Sequence, residues 1–216
     1  MWPFRRKTDA AGLLGPGFTD WHCHVLPGVD DGVRTMAEAL EVLEEYGRRG
    51  VAEVWLTPHI MEDIPNTTAA LRERFSELQA AYSGPVRLHL AAENMLDSLF
   101  EERLESGDLL PLGPGGDHLL VETSYFSAPA GFHELLGRIR ARGFHPVLAH
   151  PERYVYMEDG DYRSLREEGV KFQLNLPSLT GHYGPLARKK AEQLRKAGWY
   201  EFEGTDLHRI TTLKEL

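Results

Sequence analysis

The chain has 216 residues, 42% hydrophobic and 26% charged, a composition that excludes a largely disordered protein. Its 33 acidic residues outnumber 24 basic ones, a formal charge of -9, which argues against a nucleic-acid partner and against docking on an anionic membrane. The single cysteine, Cys23, excludes a disulfide framework, and no apolar run approaches the ~20 residues of a membrane span.

Residues 1–17 read as a polar, Gly/Pro-broken, flexible lead-in that holds no core, and residues 18–216 as one domain. The basic start, Met1 to Lys7, has no apolar stretch behind it, so a secretory signal is not expected and a cytoplasmic protein is. A first strand is expected over 18–24. Thr35 and Glu38 form a capping box that opens a helix with Met36, Leu40 and Leu43 on its apolar stripe, ending at Gly50. A second strand follows over 51–57. Asn66 is expected to cap a helix whose stripe is Leu71, Phe75, Leu78 and Tyr82. Further strands are expected over 86–91, 118–122, 146–150, 171–175 and 200–206. Helices are expected between them over about 95–106, 130–142, 159–168 and 185–197.

Strands alternating with helices imply parallel strands with helical crossovers, either a barrel or a doubly wound open sheet. No Gly-rich loop follows the first strand, which weakens a dinucleotide-binding reading. The strand ends have a common character: His22-Cys23-His24, then His59, Glu93, Glu122, His150 and finally Asp206-Leu207-His208. In a parallel barrel such ends converge on one face. His22/His24 and Asp206/His208 are spaced i, i+2, which turns both members of each pair to the same side of a strand. With the Asp30-Asp31 loop this makes a candidate metal site, and Asp31 is favoured over Asp30 as a ligand. So many candidates suggest two or three ions, an arrangement that clamps phosphoryl groups. Mixed imidazole and carboxylate ligands suit Mn, Fe and Zn alike. Arg153, three residues past His150, is read as an anion clamp. Tyr125 and Phe126, just past Glu122, are candidates for an aromatic rim around a substrate. His89, His118, His133, His145 and His182 are read as ordinary structural histidines.

The string His22-Cys23-His24-Val25-Leu26-Pro27-Gly28-Val29-Asp30-Asp31-Gly32, with Thr57-Pro58-His59, His150-Pro151-Glu152-Arg153 and Asp206-Leu207-His208, resembles the PHP (polymerase and histidinol phosphatase) superfamily. Within it the chain is similar to the bacterial manganese-dependent protein-tyrosine phosphatases of capsule and exopolysaccharide systems. Gln173-Leu174-Asn175 and Gly181-His182-Tyr183-Gly184 point to the same branch. The resemblance covers about residues 18–208. It implies a distorted (β/α)7 TIM-like barrel and a cluster of divalent ions, usually three Mn²⁺. It implies a phosphotyrosine protein substrate, a tyrosine kinase of capsular or exopolysaccharide biosynthesis. The implied ligands are His22, His24, Asp31, His59, Glu93, Glu122, His150, Asp206 and His208. The family's loop arginine falls on Arg153, and a second phosphate-binding arginine can fall only on Arg209. Asn94-Met95 stand where related chains carry an aromatic residue. The alternatives are a PHP phosphoesterase for a small phosphate such as histidinol phosphate, a nuclease, which the acidic charge disfavours, and a non-catalytic binding partner.

Overall fold

The structure, a computed structural model, describes residues 13–213 and 216. Residues 1–12 of the expected lead-in lie outside the described residues. The rest of that lead-in does join the core: Leu14 is buried among the residues packed between the first strands and helices, and the Gly17 amide donates to Gly50 O at 2.9 Å.

Among the described residues the strands are β1 (Thr19–Cys23), β2 (Glu53–Leu56), β3 (His59–Ile60), β4 (Arg87–Leu90), β5 (Glu93–Met95), β6 (His118–Glu122), β7 (His145–Ala149), β8 (Lys171–Asn175) and β9 (Tyr200–Gly204). The helices are α1 (Met36–Arg49), α2 (Thr68–Ala81), α3 (Ser98–Ser106), α4 (Phe132–Ala141), α5 (Asp159–Glu167), α6 (Leu176–Thr180), α7 (Gly184–Lys196) and α8 (Ile210–Leu213). The capping box at Thr35 is present, and Gly50 closes α1 in the left-handed conformation. The fully buried face of α1 is Ala39, Val42, Leu43 and Tyr46, and the rest of the expected stripe, Met36 and Leu40, packs half-buried against the same core at its edge. Thr67, not Asn66, caps α2, through an acceptor bond from the Ala70 amide. Asn66 is otherwise engaged: its side-chain amide donates to Val29 O and His59 O, tying two loops together.

All strand pairs are parallel. They form one sheet in the order β1-β2-β4 and another in the order β3-β5-β6-β7-β8-β9. The expected second strand breaks at Thr57-Pro58, because proline has no amide to continue the ladder. The third expected strand breaks at Ala91-Ala92, and β5 follows. The two sheets meet at two seams. At one the chain itself crosses, from β2 through Thr57-Pro58 into β3 and from β4 through Ala91-Ala92 into β5; at the other backbone bonds join the sheets, the Asp206 amide reaching His22 O at 2.7 Å and the His24 amide reaching Leu207 O at 2.9 Å. Gly204 permits the second seam, since a Cβ there would stand 2.6 Å from His22 Cβ. Trp55, Leu120, Val147, Ala149 and Phe202 make an inner cluster, with Trp21 packed against it. The helices cover the opposite strand faces. Strands buried on both faces leave function to their ends.

Candidate metal centre

His22 and His24 leave β1 on the same side, and their Nε2 atoms stand 3.1 Å apart. Glu93, opening β5, brings Oε2 to 3.1 Å from His22 Nε2 and 3.3 Å from His24 Nε2. Asp206, after β9, brings Oδ1 to 3.5 and 3.2 Å from the same two atoms. His59 Nδ1 lies 3.2 Å from Glu93 Oε2 and 3.0 Å from Glu122 Oε1. His150 Nε2 lies 3.0 Å from Glu93 Oε1. Asp31 Oδ1 lies 3.3 Å from His208 Nε2 and 3.6 Å from His59 Nε2. All nine expected ligands therefore come together from six strand ends and the loop after β1. They form three groups with ligand atoms within 4.8 Å of one another: His24, Asp31, His59 and His208; His22, His24, Glu93 and Asp206; and His59, Glu93 and Glu122. His150 borders the last two through Glu93.

The donor set fits divalent cations. Glu93 Oε2, Glu122 Oε1, Asp206 Oδ1 and His59 Nδ1 are buried without a hydrogen-bond partner, although each faces other nitrogens or oxygens at close range. A buried polar atom left so costs about 1–3 kcal/mol, more if charged, and cations held within these groups would satisfy all four. The far ring nitrogens are anchored. His22 Nδ1 meets Gln173 Oε1 at 2.9 Å, His24 Nδ1 meets Asp30 Oδ2 at 2.8 Å, and His208 Nδ1 meets Asp206 O at 2.9 Å. Donation from those nitrogens leaves the near ones with lone pairs, as metal-ligating imidazoles require. Asp30 is engaged by His24 and by the amides of Gly32 and His59, whereas Asp31 extends toward His208. Gly32 allows that loop to fold onto His24, whose carbonyl occupies the space a Cβ would need.

Charge balance within the cluster is tight. Burial alone would pull the His22 imidazolium down, but Glu93 and Asp206 outweigh it and push its pKa up to about 9. Burial would raise Glu93 and Asp206, yet the neighbouring imidazoles, His22 foremost, hold both well below the usual carboxylate range. The hydrogen bond with His208 holds Asp31 down at about 2. His150 and Asp206 both have left-handed backbones, at φ 35° and 49°, an uncommon conformation for non-glycine residues that clusters at functional sites.

Arg153 stands over this cluster at the end of a single 3-10 turn, Pro151–Arg153. The buried Glu152 pins the turn, accepting from the Asn175 amide at 3.0 Å, the Ser178 hydroxyl at 2.8 Å and the Tyr200 hydroxyl at 3.0 Å. Lys190 Nζ holds the following loop through Tyr154 O and Met157 O. The Arg153 guanidinium donates to Asp206 Oδ2 and, at 2.6 Å, to the Tyr125 hydroxyl. It lies 4.6 Å from the Tyr125 ring centroid and 4.0 Å from that of Tyr183, so two aromatic faces hold it. Arg153, Tyr125 and Tyr183 line a cleft of about 340 Å³ together with Asp31, His59, Glu93, His150, Asp206 and His208.

Tyr125 and Arg209 also line this cleft, Arg209 as an exposed residue at its mouth. Phe126 is 78% exposed and outside the cleft lining: Tyr125 takes the inward position of the loop and its neighbour turns out. His182, read as an ordinary structural residue, lines the cleft as well. Sequence reasoning missed the placing of Tyr183, Gln173 and Asn175 around the cluster, although the strings containing them were conspicuous.

A family model described as capsular polysaccharide synthesis, CpsB/CapC, matches residues 18–214. The tyrosine-protein phosphatase YwqE of Bacillus subtilis is 28% identical over 199 residues, covering 89% of this chain and 78% of its own. The tyrosine-protein phosphatase CpsB of Streptococcus pneumoniae is 26% identical over 210 residues, covering 88% and 83%. A solved structure from work on YwqE and CpsB, described as metal-dependent tyrosine phosphatases, matches with a TM-score of 0.82 at 27% identity, covering 90% of this chain and 81% of that one.

Proposed function

The chain belongs to the CpsB/CapC family of capsular polysaccharide synthesis, and we propose that it is a metal-dependent protein-tyrosine phosphatase acting on a tyrosine kinase of that system. The observation that carries this reading is the convergence of nine imidazoles and carboxylates beneath one arginine in an open cleft. His22, His24, Asp31, His59, Glu93, Glu122, His150, Asp206 and His208 are the ligands, and three Mn²⁺ ions are the number and metal we assign to the three groups. Such ions supply Lewis acidity toward phosphoryl oxygens and water. The protein's own groups do the rest. Arg153 presents its fork to two equatorial phosphate oxygens and neutralises charge that grows in the transition state. Tyr125 and Tyr183 keep that guanidinium plane in place, so little reorganisation is needed as the reaction proceeds. Arg209 at the mouth attracts the phosphate on entry. The fold reading that goes with this is a distorted barrel of seven βα units, supported by the chain crossings at one seam and the backbone bonds at the other. Among the described residues no helix is long and apolar enough to cross a membrane, and a cytoplasmic location fits a kinase-directed enzyme.

The test is a rate comparison on a phosphotyrosine peptide, a phosphoserine peptide and histidinol phosphate with added Mn²⁺. The phosphotyrosine peptide is expected to be the best substrate. Preference for histidinol phosphate would move the chain to the small-molecule branch.

A further inference from the structure

Among the described residues, the large hydrophobic side chains left exposed are Phe126 at 78%, Val155 at 47% and Leu186 at 49%. Single exposed apolar residues need no explanation. These three, however, share an address. Phe126 follows Tyr125, Val155 stands two residues after Arg153, and Leu186 stands three after Tyr183. Tyr125, Arg153 and Tyr183 are the two rings and the guanidinium stacked together in the cleft. The Val155 amide donates to Tyr125 O at 2.9 Å, which fixes the Val155 segment beside the one carrying Phe126. The exposed residues of the cleft lining itself, by contrast, are polar, Asp31, Arg209 and Thr211 among them. The segments that supply Tyr125, Arg153 and Tyr183 thus also carry the exposed apolar side chains.

We propose that Phe126, Val155 and Leu186 form an apolar lip beside the cleft, that this lip is a docking surface for the substrate polypeptide, and that it selects phosphotyrosines with an apolar residue within three positions. The inference rests on the phosphatase reading and adds a substrate class to it. The occupant follows from geometry. A phosphotyrosine whose phosphate reaches Arg153 must lead its flanking chain across the rim. At ~3.5 Å per residue, three residues span about 10 Å, enough to cross a lip of this kind. Apolar side chains brought onto the lip leave water, which favours binding, whereas charged or small polar ones gain nothing there.

The probes are phenyl phosphate and two sets of phosphotyrosine peptides. One set carries leucine or phenylalanine at each of the three positions on either side, and the other carries serine there. The wild-type protein should turn over its best apolar-flanked peptide with a kcat/KM about ten times that of the serine peptide, mostly through KM, the scale of burying one apolar side chain. Val155→Ser with Leu186→Ser should cut that ratio severalfold while phenyl phosphate is hydrolysed at the wild-type rate. Adding Phe126→Ser should bring the ratio close to one. Equal rates on both peptide sets in the wild type, or a preference that survives all three substitutions, would overturn the docking surface and leave the phosphatase reading standing. Failure to hydrolyse phenyl phosphate or any peptide with Mn²⁺ present would overturn the phosphatase reading and the docking surface with it.

Discussion

Histidines stand near both ends of the parallel strands, but in different company. His118 and His145 open β6 and β7, and their rings lie 5.2 Å apart. His118 sits between the Asp117 carboxylate and the Lys171 ammonium, and His89 in β4 stacks on Trp55 while meeting Glu53 at 2.9 Å. Each of these imidazoles has its own partners. At the cluster, His22, His24, His59, His150 and His208 crowd around carboxylates, several of whose oxygens are buried and unsatisfied. The residue type is the same, yet among the described residues only this group leaves lone pairs pointing at a common centre. What stands behind and around each ring separates a structural histidine from a candidate ligand.

The largest effect should come from breaking that centre. His24 borders two of the three groups, so His24→Ala should lose metal and lower phenyl phosphate hydrolysis by about three orders of magnitude, the scale of dismantling a catalytic unit. Chelation should match it, and Mn²⁺ should restore the wild type. His145→Ala, at the other strand end, should stay within about twofold, as for surface changes generally. Metal content measured alongside the rates checks both. A His24→Ala protein that keeps its activity without metal would end the proposed mechanism.

Arg153 sharpens the contrast within the cleft. Arg153→Ala should cost about 2–4 kcal/mol, or roughly 30- to 1,000-fold in kcat, with metal content preserved because guanidinium is not a ligand. Arg153→Lys should recover only part, since an ammonium lacks the fork. Tyr183→Leu removes one of the two faces against the guanidinium and should lose less, about 0.5–2 kcal/mol in kcat/KM. Wild-type kinetics in Arg153→Ala would reduce the residue to a partner of Asp206.

Much of this arrangement was legible in the sequence, for reasons visible in particular residues. The i, i+2 pairs at His22/His24 and Asp206/His208 carry their own geometry on a strand, and the capping box at Thr35 is a local contact needing no tertiary information. The breaks that divide β2 from β3 and β4 from β5 are too short for a periodicity to register. So are the Pro151–Arg153 turn, α6 and α8. The Asp30 and Gln173 side chains that anchor His24 and His22 depend on loop folding and on a strand 151 positions away, which pattern reading does not reach. Which of Tyr125 and Phe126 turns inward was not legible, because neighbouring residues of an irregular loop have no fixed alternation. Leu14 was missed because a Gly/Pro-rich context outweighed one buried side chain.

Cys23 offers a smaller effect of the opposite kind. It lies between two cluster histidines but points away, fully buried, with Sγ donating to Trp55 O at 3.5 Å. Burial first, and then the Asp20 carboxylate, push its thiol pKa well up, so it is a packing residue and not a thiolate nucleophile. Cys23→Ala should keep most of kcat and lose about 1 kcal/mol of stability from a small cavity. Thiol alkylation of the folded protein should leave activity intact. A folded, metal-loaded but inactive Cys23→Ala, with a trapped phosphocysteine on the wild type, would replace the metal mechanism.

The smallest effect tests the quiet end of the strands. Burial, and then the Lys171 ammonium, outweigh Asp117 and hold the His118 imidazole below its usual pKa, so it remains neutral in the folded protein at pH values where the unfolded chain binds a proton. A lowered folded-state pKa on a base means that the unfolded state takes up more protons as pH falls. Stability contributed by neutral His118 is therefore complete above the unfolded value of about 6.5 and drains away as pH falls below it. His118→Gln lacks this proton uptake while keeping a side chain able to hydrogen-bond. Its unfolding free energy should fall less steeply than the wild type's as pH drops below about 6.5, and the two slopes should agree above it. Denaturant melts in saturating Mn²⁺, which keep the other strand end in one state, measure both slopes. A steeper loss in the wild type marks His118 as a buried neutral base, and identical slopes would mean that it already titrates freely against Asp117.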